Sequence, residues 1–530
     1  MTDVPVLIVG GGPVGLTASI VLSRHGVRSL LVERHPGTAT HPKARGINAR
    51  TMEMYRQLGV EDDIRAAGLP PDRARFIVWA RSLAGEELER RVPWRASADS
   101  TAVSPVRNCL CAQDALEPVL RDHAERAGGD LRFNVELTGF VQDADGVTAT
   151  LAGRRSAAPT VVRADYVIAA DGAQSRIRRA LGVKMIGRED VYESVNVLLH
   201  ADLQPWTEHR PAALYFIEHP RLKATFLTIN GTDRWGFLVN SLSAYGLTAA
   251  DFTPERTLEL VRLAAGVPDL AATILAIAPW TASAHVAERY RHGRVFLAGD
   301  AAHEMPPTGG FGLNTGVQDV HNLAWKLAAV LHGGAASALL DTYDAERRPV
   351  GEAITEQSLA NSISMGRLGH QAPGFARPEY LNEQGLIFGA TYESVAVLPD
   401  GLAPPTIANR ITDYVPDGRP GGRAPHAWLS HDGAQISTIE LVGQRFTLFG
   451  GPEWRRARGT PPVPLDVVTI GDAGDFQDPE GRWRAVYGVE PSGAVLVRPD
   501  GYVAWRMARA PSDPGAAFNA ALTRVLRGAA

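Results

Sequence analysis

Val4-Pro5-Val6-Leu7-Ile8-Val9-Gly10-Gly11-Gly12-Pro13-Val14-Gly15 couples a short apolar run to a cluster of glycines. An uninterrupted apolar run of this length marks a parallel strand buried on both faces. The glycines end it. Pro13 to His25, with Leu16, Ile20 and Leu22 among its apolar positions, then reads as a helix, and Ser29 to Glu33 as a second buried strand. This is one β-α-β unit of a doubly wound α/β sheet. In Gly10-x-Gly12-x-x-Gly15, Gly10 permits the tight turn, Gly12 lets the backbone approach a pyrophosphate, and Gly15 lets helix and strand pack closely. The helix N-terminus at Pro13 and Val14 offers free N–H groups and a partial positive charge. Alone the pattern is weak, because 53 of 530 residues are glycine. The strand before it, the helix after it, and Glu33-Arg34 ending the next strand make it a nucleotide site, with Glu33 placed to accept from ribose hydroxyls.

Further along the chain, Tyr166 to Ala170 is a third buried strand, ending in Asp171-Gly172, and Arg294 to Ala298 a fourth, ending in Gly299-Asp300. Their distance in sequence means that the nucleotide-binding fold is interrupted. The interruption, 186–281, has strand-like segments at Glu193–Leu203, Ala213–Glu218, Lys223–Ile229 and Arg234–Val239 and a helix at Pro254–Ala265, so an inserted antiparallel sheet is expected there. The expected division is 1–185 and 282–398 for the two parts of the nucleotide domain, 186–281 for the inserted sheet, 399–417 for a linker and 418–530 for an independent α/β unit. In that last unit Pro499-Asp500-Gly501 turns a hairpin and Pro514–Arg527 closes as a helix.

Two more motifs carry chemistry. Gly299-Asp300-Ala301-Ala302-His303 is followed by Pro306-Pro307-Thr308-Gly309-Gly310-Phe311-Gly312-Leu313-Asn314 and a long helix to Leu331. A carboxylate at a strand end beside a glycine-rich helix start suits a polyol chain. The Gly312–Asn314 turn aims N–H groups outward, which would stabilise negative charge on a reduced flavin ring lying there. Asp171-Gly172-Ala173-x-Ser175-x-x-Arg178 places another acid at another strand end, with Ser175 also a plain helix cap.

In this order and spacing, the three motifs resemble the class A flavoprotein aromatic hydroxylases, the p-hydroxybenzoate hydroxylase family. The chain as a whole is similar to the polyketide hydroxylase subgroup that includes the tetracenomycin hydroxylases. The subgroup's thioredoxin-like C-terminal domain is matched by Arg419 to Leu429 and Val497 to Arg506. The resemblance implies a Rossmann-like FAD domain with Gly10, Gly12, Gly15 and Glu33 on the ADP half of FAD and Gln113 near the cofactor. It puts Asp300 on the ribityl chain, Pro307 and Gly309 at the flavin edge, and Leu313 and Asn314 amides at the pyrimidine ring. Asp171 and Arg178 are implicated in both FAD and NAD(P)H binding. Relatives carry Arg where this chain has Lys43, which keeps the charge but loses the planar fork, and Arg45 is the neighbour placed to take over. The implied reaction uses NAD(P)H, NADPH by preference, and O2 through a flavin C4a-hydroperoxide to hydroxylate an aromatic polyketide, a fused-ring phenol or quinone. Phe216, Phe226, Trp235 and Phe237 are candidate substrate walls, each equally suited to core. No acid–base residue can be chosen.

Composition bounds the alternatives. A net charge of −4 without a basic stripe excludes a nucleic-acid binder, and no run of 18 apolar residues offers a membrane span. With a strand at Val4 and no leader pattern, a cytoplasmic monomer or homodimer is expected. Cys109 and Cys111 have the wrong spacing for a dithiol or zinc site, and 418–530 holds no cysteine. His285, His303, His321 and His426 are scattered, so no metal is expected. A single Gly-x-Gly-x-x-Gly unit argues against a disulfide reductase. The W-x-W-x-I-P of flavin halogenases and the F-x-G-x-x-x-H-x-x-x-W of class B Baeyer–Villiger enzymes are both absent. Baeyer–Villiger or ring-rearranging oxygenation on the same scaffold, and a flavoprotein retired to a binding role, stay open.

Overall fold

The computed structural model describes residues 2–93, 101–153, 158–365, 378–457 and 461–528. Thr2–Val9 lies at the centre of the first sheet, parallel to Ser29–Glu33 on one side and Thr160–Ala169 on the other. Val295–Leu297 and Asp130–Phe133 extend the parallel ladder at the two edges. Val6, Leu7, Ile8, Leu30 and Leu31 have no exposed surface, as a strand covered on both faces requires. The helices Pro13–Arg24, Gln113–Arg126 and Gly312–Leu331 pack together against this sheet. Four strands from widely separated stretches of chain thus bring their C-terminal ends, with Gly10, Glu33, Asp171 and Gly299-Asp300, to one edge, the position where doubly wound sheets bind ligands.

The second sheet runs His303–Glu304, Ala272–Ala287, Met185–Ala201, Arg234–Asn240, Leu222–Thr228, Ala212–His219, Phe76–Ala80, Glu87–Arg91. All neighbours are antiparallel except Ala212–His219 and Phe76–Ala80. The sheet is therefore wider than the 186–281 insertion expected from sequence: it takes two strands from before residue 186 and one from beyond 281. The five-residue run Phe76–Ala80 gives too short a signal to be assigned to a sheet, and the alanines of Ala272–Ala287 weaken its β propensity. Side chains alternate between faces. One face packs on Pro254–Ala265 through Val195, Val197, Phe226, Trp235 and Phe237 against Leu260, Val261 and Ala264. The other face carries Ile77, Trp79 and Phe216, and, nearer the first sheet, Leu198 and Leu227 against Ala112.

The C-terminal unit has a four-stranded sheet in the order Leu465–Thr469, Phe446–Gly450, Ala494–Val497, Val503–Met507. Its first pair is parallel and the rest antiparallel, and Pro514–Arg527 packs on it through Phe518, Leu522 and Val525. This is a thioredoxin-like arrangement. Both cysteines, Cys109 and Cys111, lie elsewhere, buried and with thiol pKa values pushed up by burial to about 11 and about 12. Buried ion pairs tie the unit to the first domain. Arg498 donates to Glu346 through both Nη atoms at 2.7 Å, Lys326 joins Glu346 at 2.7 Å, and Arg423 pairs with Glu53.

Candidate active site

Gly10 has φ +115°, and a Cβ there would lie 2.1 Å from the Ala170 oxygen. A Cβ on Gly15 would lie 1.9 Å from the Gly10 oxygen. Both positions therefore demand glycine, for backbone conformation in one case and close approach in the other. Pro13–Arg24 starts at Gly12 with no side-chain cap, so its first amides have no side-chain acceptor. Glu33 Oε2 accepts from Gly11 N at 2.7 Å and Oε1 from His35 N at 2.8 Å. The carboxylate thus braces the glycine turn as well as ending its strand. Arg34, next along, is exposed.

The first and second motifs meet at Val14. Its Cγ2 would touch a Cβ on Gly299 at 3.0 Å and one on Gly316 at 2.6 Å. Asp300 lies deep in the fold, yet its side chain is exposed, so it faces an opening inside the protein. Burial pushes its carboxyl pKa up, Glu304 adds to this, and His303 and Lys43 oppose it. Gly309 has φ +119° and Pro307 is exposed beside it. Gly312–Leu331, like Pro13–Arg24, lacks a side-chain cap at its N-terminus. Asn314 is buried: Oδ1 accepts from Asn48 N at 2.9 Å, while Nδ2 donates to Gly46 O at 2.9 Å and Gly310 O at 2.7 Å. Its side chain holds the loops around the helix start, where no side chain caps the first-turn amides.

Asp171 Oδ2 accepts from Arg176 N at 2.9 Å, while its Oδ1 is buried without a hydrogen-bond partner among the described residues. Gly172 follows at φ +80°. Arg178 donates to Ala173 O at 2.9 Å and to Ala301 O at 3.1 Å, clamping the third motif to the second. Gln113 Nε2 donates to Glu117 Oε1 at 2.7 Å and its Oε1 accepts from Ala44 N at 3.3 Å, which fixes the segment carrying Lys43. Lys43 is exposed; burial raises the carboxyl pKa values of Asp300 and Glu117, and the nearby Lys43 charge opposes both rises. Arg45 instead points at the second sheet, donating to Thr228 O at 2.8 Å and to Ala213 O.

The expected substrate walls divide. Phe216 lies on the face turned from Pro254–Ala265 and lines a cavity with Trp79, Thr225, Asn240 and Met365. Phe226, Trp235 and Phe237 are on the opposite face, buried in the core under Pro254–Ala265. They are core residues because that helix covers their face. Arg234 pairs with Asp114 at 2.5 Å and is not offered to a substrate. A separate cavity of about 370 Å³, lined by Leu83, Arg90, Trp206 and Arg210, lies apart from the three motifs, and Arg210 there is paired with Glu87 at 3.2 Å. Among the described residues, no three His, Cys, Asp or Glu side chains are placed to hold a metal ion. No described helix is long and apolar enough to cross a membrane.

A fully buried set escaped sequence reading. Asp319 accepts from Arg347 Nε at 2.9 Å and from Gly299 N at 3.1 Å, and stands 2.7 Å from His303 Nε2. The signal was available: Asp319 and Lys326, seven residues apart, are the two charged residues of a long helix.

The glycine cradle, the two uncapped helix starts and the inward-facing Asp300 fit a dinucleotide whose polyol crosses from one helix start to the other. Residues 3–358 match the family described as FAD binding domain, and residues 417–529 match the aromatic-ring hydroxylase C-terminal family. The chain belongs to the FAD-dependent aromatic-ring hydroxylases, a class of flavin monooxygenases. Within that class its relatives include polyketide hydroxylases and also a 4-methyl-5-nitrocatechol 5-monooxygenase of a Burkholderia species, 38% identical with 99% of this chain and 98% of that one covered. It is 45% identical to a putative polyketide hydroxylase of Streptomyces halstedii, covering 95% of this chain and 93% of that one. It is 41% identical to tetracenomycin B2 monooxygenase-dioxygenase of Streptomyces olivaceus, with 99% of each covered. Its fold superposes on aklavinone-11 hydroxylase, solved with FAD and aklavinone, at a TM-score of 0.89, 37% identity and 99% coverage of both chains.

Proposed function

We propose that this chain hydroxylates a fused-ring aromatic polyketide, a phenol or quinone, consuming NAD(P)H, with NADPH favoured, and O2. The observation that supports this most directly is the meeting of the two uncapped helix starts at Val14, Gly299 and Gly316, with Asp300 facing inward between them. Gly10, Gly12, Pro13, Val14 and Gly15 cradle the pyrophosphate of FAD at a helix end carrying about half a positive charge. Glu33 takes the ribose, and Arg34, Lys43 and Gln113 flank that half. Asp171, Gly172 and Arg178 frame the middle of the cofactor, and Gly299-Asp300 the ribityl chain. Pro307, Gly309, Gly312, Leu313 and Asn314 orient the ring system, with two backbone amides aimed where negative charge develops on reduction. FAD, when bound and reduced by the nicotinamide, would activate O2, one of whose oxygen atoms passes to the ring while the other leaves as water. The protein's share is to orient the aromatic ring against the flavin edge and to exclude water under the apolar sheet face of Ile77, Leu198, Phe216 and Leu227.

Turnover of the FAD-loaded protein with NADPH and a panel of fused-ring phenols under 18O2 tests this. The expected product gains 16 mass units under ordinary O2 and carries one 18O atom under the label, with NADPH use dependent on substrate. NADPH consumption that no phenol stimulates, or product oxygen drawn from water, would sink it.

A further inference from the structure

Trp79 is 1% exposed, yet its indole Nε1 has no hydrogen-bond partner among the described residues. Buried tryptophans ordinarily pair this N–H, and leaving it unpaired costs about 1–3 kcal/mol. Trp454 and Trp235, both buried, follow the rule, bonding Ser492 O at 2.8 Å and Thr232 O at 3.2 Å. Trp325 and Trp483 do not, but both sit inside the apolar clusters of the C-terminal unit. Trp79 instead lines the cavity shared with Phe216, Thr225, Asn240, Ser241 and Met365.

The cavity holds about 40 Å³, room for the oxygen-bearing edge of a flat ring and not for a whole ring. Trp79 and Phe216 are register partners, and their rings lie 5.2 Å apart at 33°, forming one aromatic wall. The neighbouring charges answer each other, Lys223 to Glu218 at 2.9 Å, and Asn240 Oδ1 accepts from Ser194 Oγ at 2.8 Å. The cavity also has a defined place relative to the flavin motifs. Ser362 Oγ stands 2.8 Å from Thr308 Oγ1, next to Pro307, and Met365 follows three residues later. On the sheet, the row of Leu198 and Leu227 against Ala112 lies between the first domain and the row of Phe216 and Thr225.

We propose that this cavity receives the oxygen-bearing edge of the substrate ring furthest from Pro307, and that the Trp79 indole N–H donates to that oxygen. Trp79 is then a specificity-determining residue that selects polycyclic substrates oxygenated at both ends. The inference rests on the fused-ring reading above.

Two probes separate the ideas: 2-hydroxyanthraquinone and the symmetric 2,6-dihydroxyanthraquinone, which presents a hydroxyl at its far ring whichever end faces the flavin. Both are titrated into FAD-loaded protein by the change in flavin absorbance. Wild type is expected to bind the dihydroxy compound about tenfold more tightly, the size of one well-made hydrogen bond. Trp79→Phe keeps an aromatic wall and should abolish that preference while leaving the monohydroxy Kd within about twofold and FAD content unchanged. Trp79→His, which returns a ring N–H, should recover part of it. A preference that survives in Trp79→Phe, or that wild type never shows, overturns the subsite. Binding of neither compound, alongside turnover of monocyclic phenols, overturns the fused-ring reading and the subsite with it.

Discussion

His303 Nε2 lies 2.7 Å from Asp319 Oδ2, and neither side chain has any exposed surface. The same carboxylate takes Arg347 and the Gly299 amide, so one buried anion joins two helices to the turn that carries Asp300. Burial works against its charge, but His303 and Arg347 outweigh this and hold its pKa below the usual range. Asp319→Asn leaves Arg347 charged and unpaired in the core. The expected loss is about 3–5 kcal/mol of stability, read by urea unfolding, together with weaker FAD retention. A loss under about 1 kcal/mol would show that the network is incidental.

Glu53 has no exposed surface and accepts from Arg50 at 2.9 Å, from Ser104 at 2.6 Å and from Arg423. Arg423 lies in the C-terminal unit, so Glu53→Gln should loosen that unit from the first domain. Trypsin is expected to cut between residues 399 and 417 faster than in wild type. Glu125→Gln, which breaks the exposed pair with Arg121, should change little, because such pairs are worth about 0–1 kcal/mol. Equal cleavage of wild type and Glu53→Gln would refute the coupling.

Asp300 makes no hydrogen bond or ion pair among the described residues, and burial raises its carboxyl pKa against the opposing pull of His303 and Lys43. Asp300→Ala should therefore leave the apoprotein's melting temperature unchanged or slightly higher. FAD titration should show a loss of about tenfold to a hundredfold in affinity, the scale of a charge-assisted hydrogen bond of about 1.5–3 kcal/mol. A large drop in apoprotein melting temperature would mark Asp300 as structural instead.

His321 and His426 are both buried, and their pKa values are pulled down by burial to about 3 and about 4, with Arg50 and Arg423 respectively adding to the effect. Unfolded histidine titrates near 6.5. Above that pH both states are neutral and the contribution is complete. As pH falls below 6.5 the unfolded chain takes up protons that the folded one refuses until about 4, so stability declines through that window. Each histidine accounts for about 2 kcal/mol between pH 7 and 5. His25, also held near 4 by burial, adds to the same slope; unfolding free energies at the two pH values should show it, and His321→Phe should remove about 2 kcal/mol of it. A slope identical to wild type in that variant would be inconsistent with a neutral buried imidazole.

Much of the nucleotide half was legible in sequence because its requirements are local. A glycine at φ +115°, a proline opening a helix and an acid ending an apolar strand announce themselves within a dozen residues. The same holds for the hairpin at Asp500-Gly501, where Gly501 has φ +80°. Strand alternation in Ala212–His219, Leu222–Thr228 and Arg234–Asn240 was equally visible.

Alternation defines two faces without saying which one meets the flavin motifs. That choice rests on Pro254–Ala265 folding over Phe226, Trp235 and Phe237, which leaves Phe216 and Trp79 for the cavity. By charge, Arg45 was placed to take over a phosphate or substrate contact from Lys43, and only the position of the second sheet turns it to the Thr228 and Ala213 carbonyls. The sequence by itself determined the fold class and the three cofactor motifs, since backbone conformation and apolar period are properties of neighbouring residues. Tertiary structure decided that Val14 sits between Gly299 and Gly316, that Asp319 answers His303 and Arg347, and that Arg423 reaches Glu53. Those contacts join residues up to 370 positions apart, and their energies exist only once burial has removed the water that would otherwise satisfy each charge.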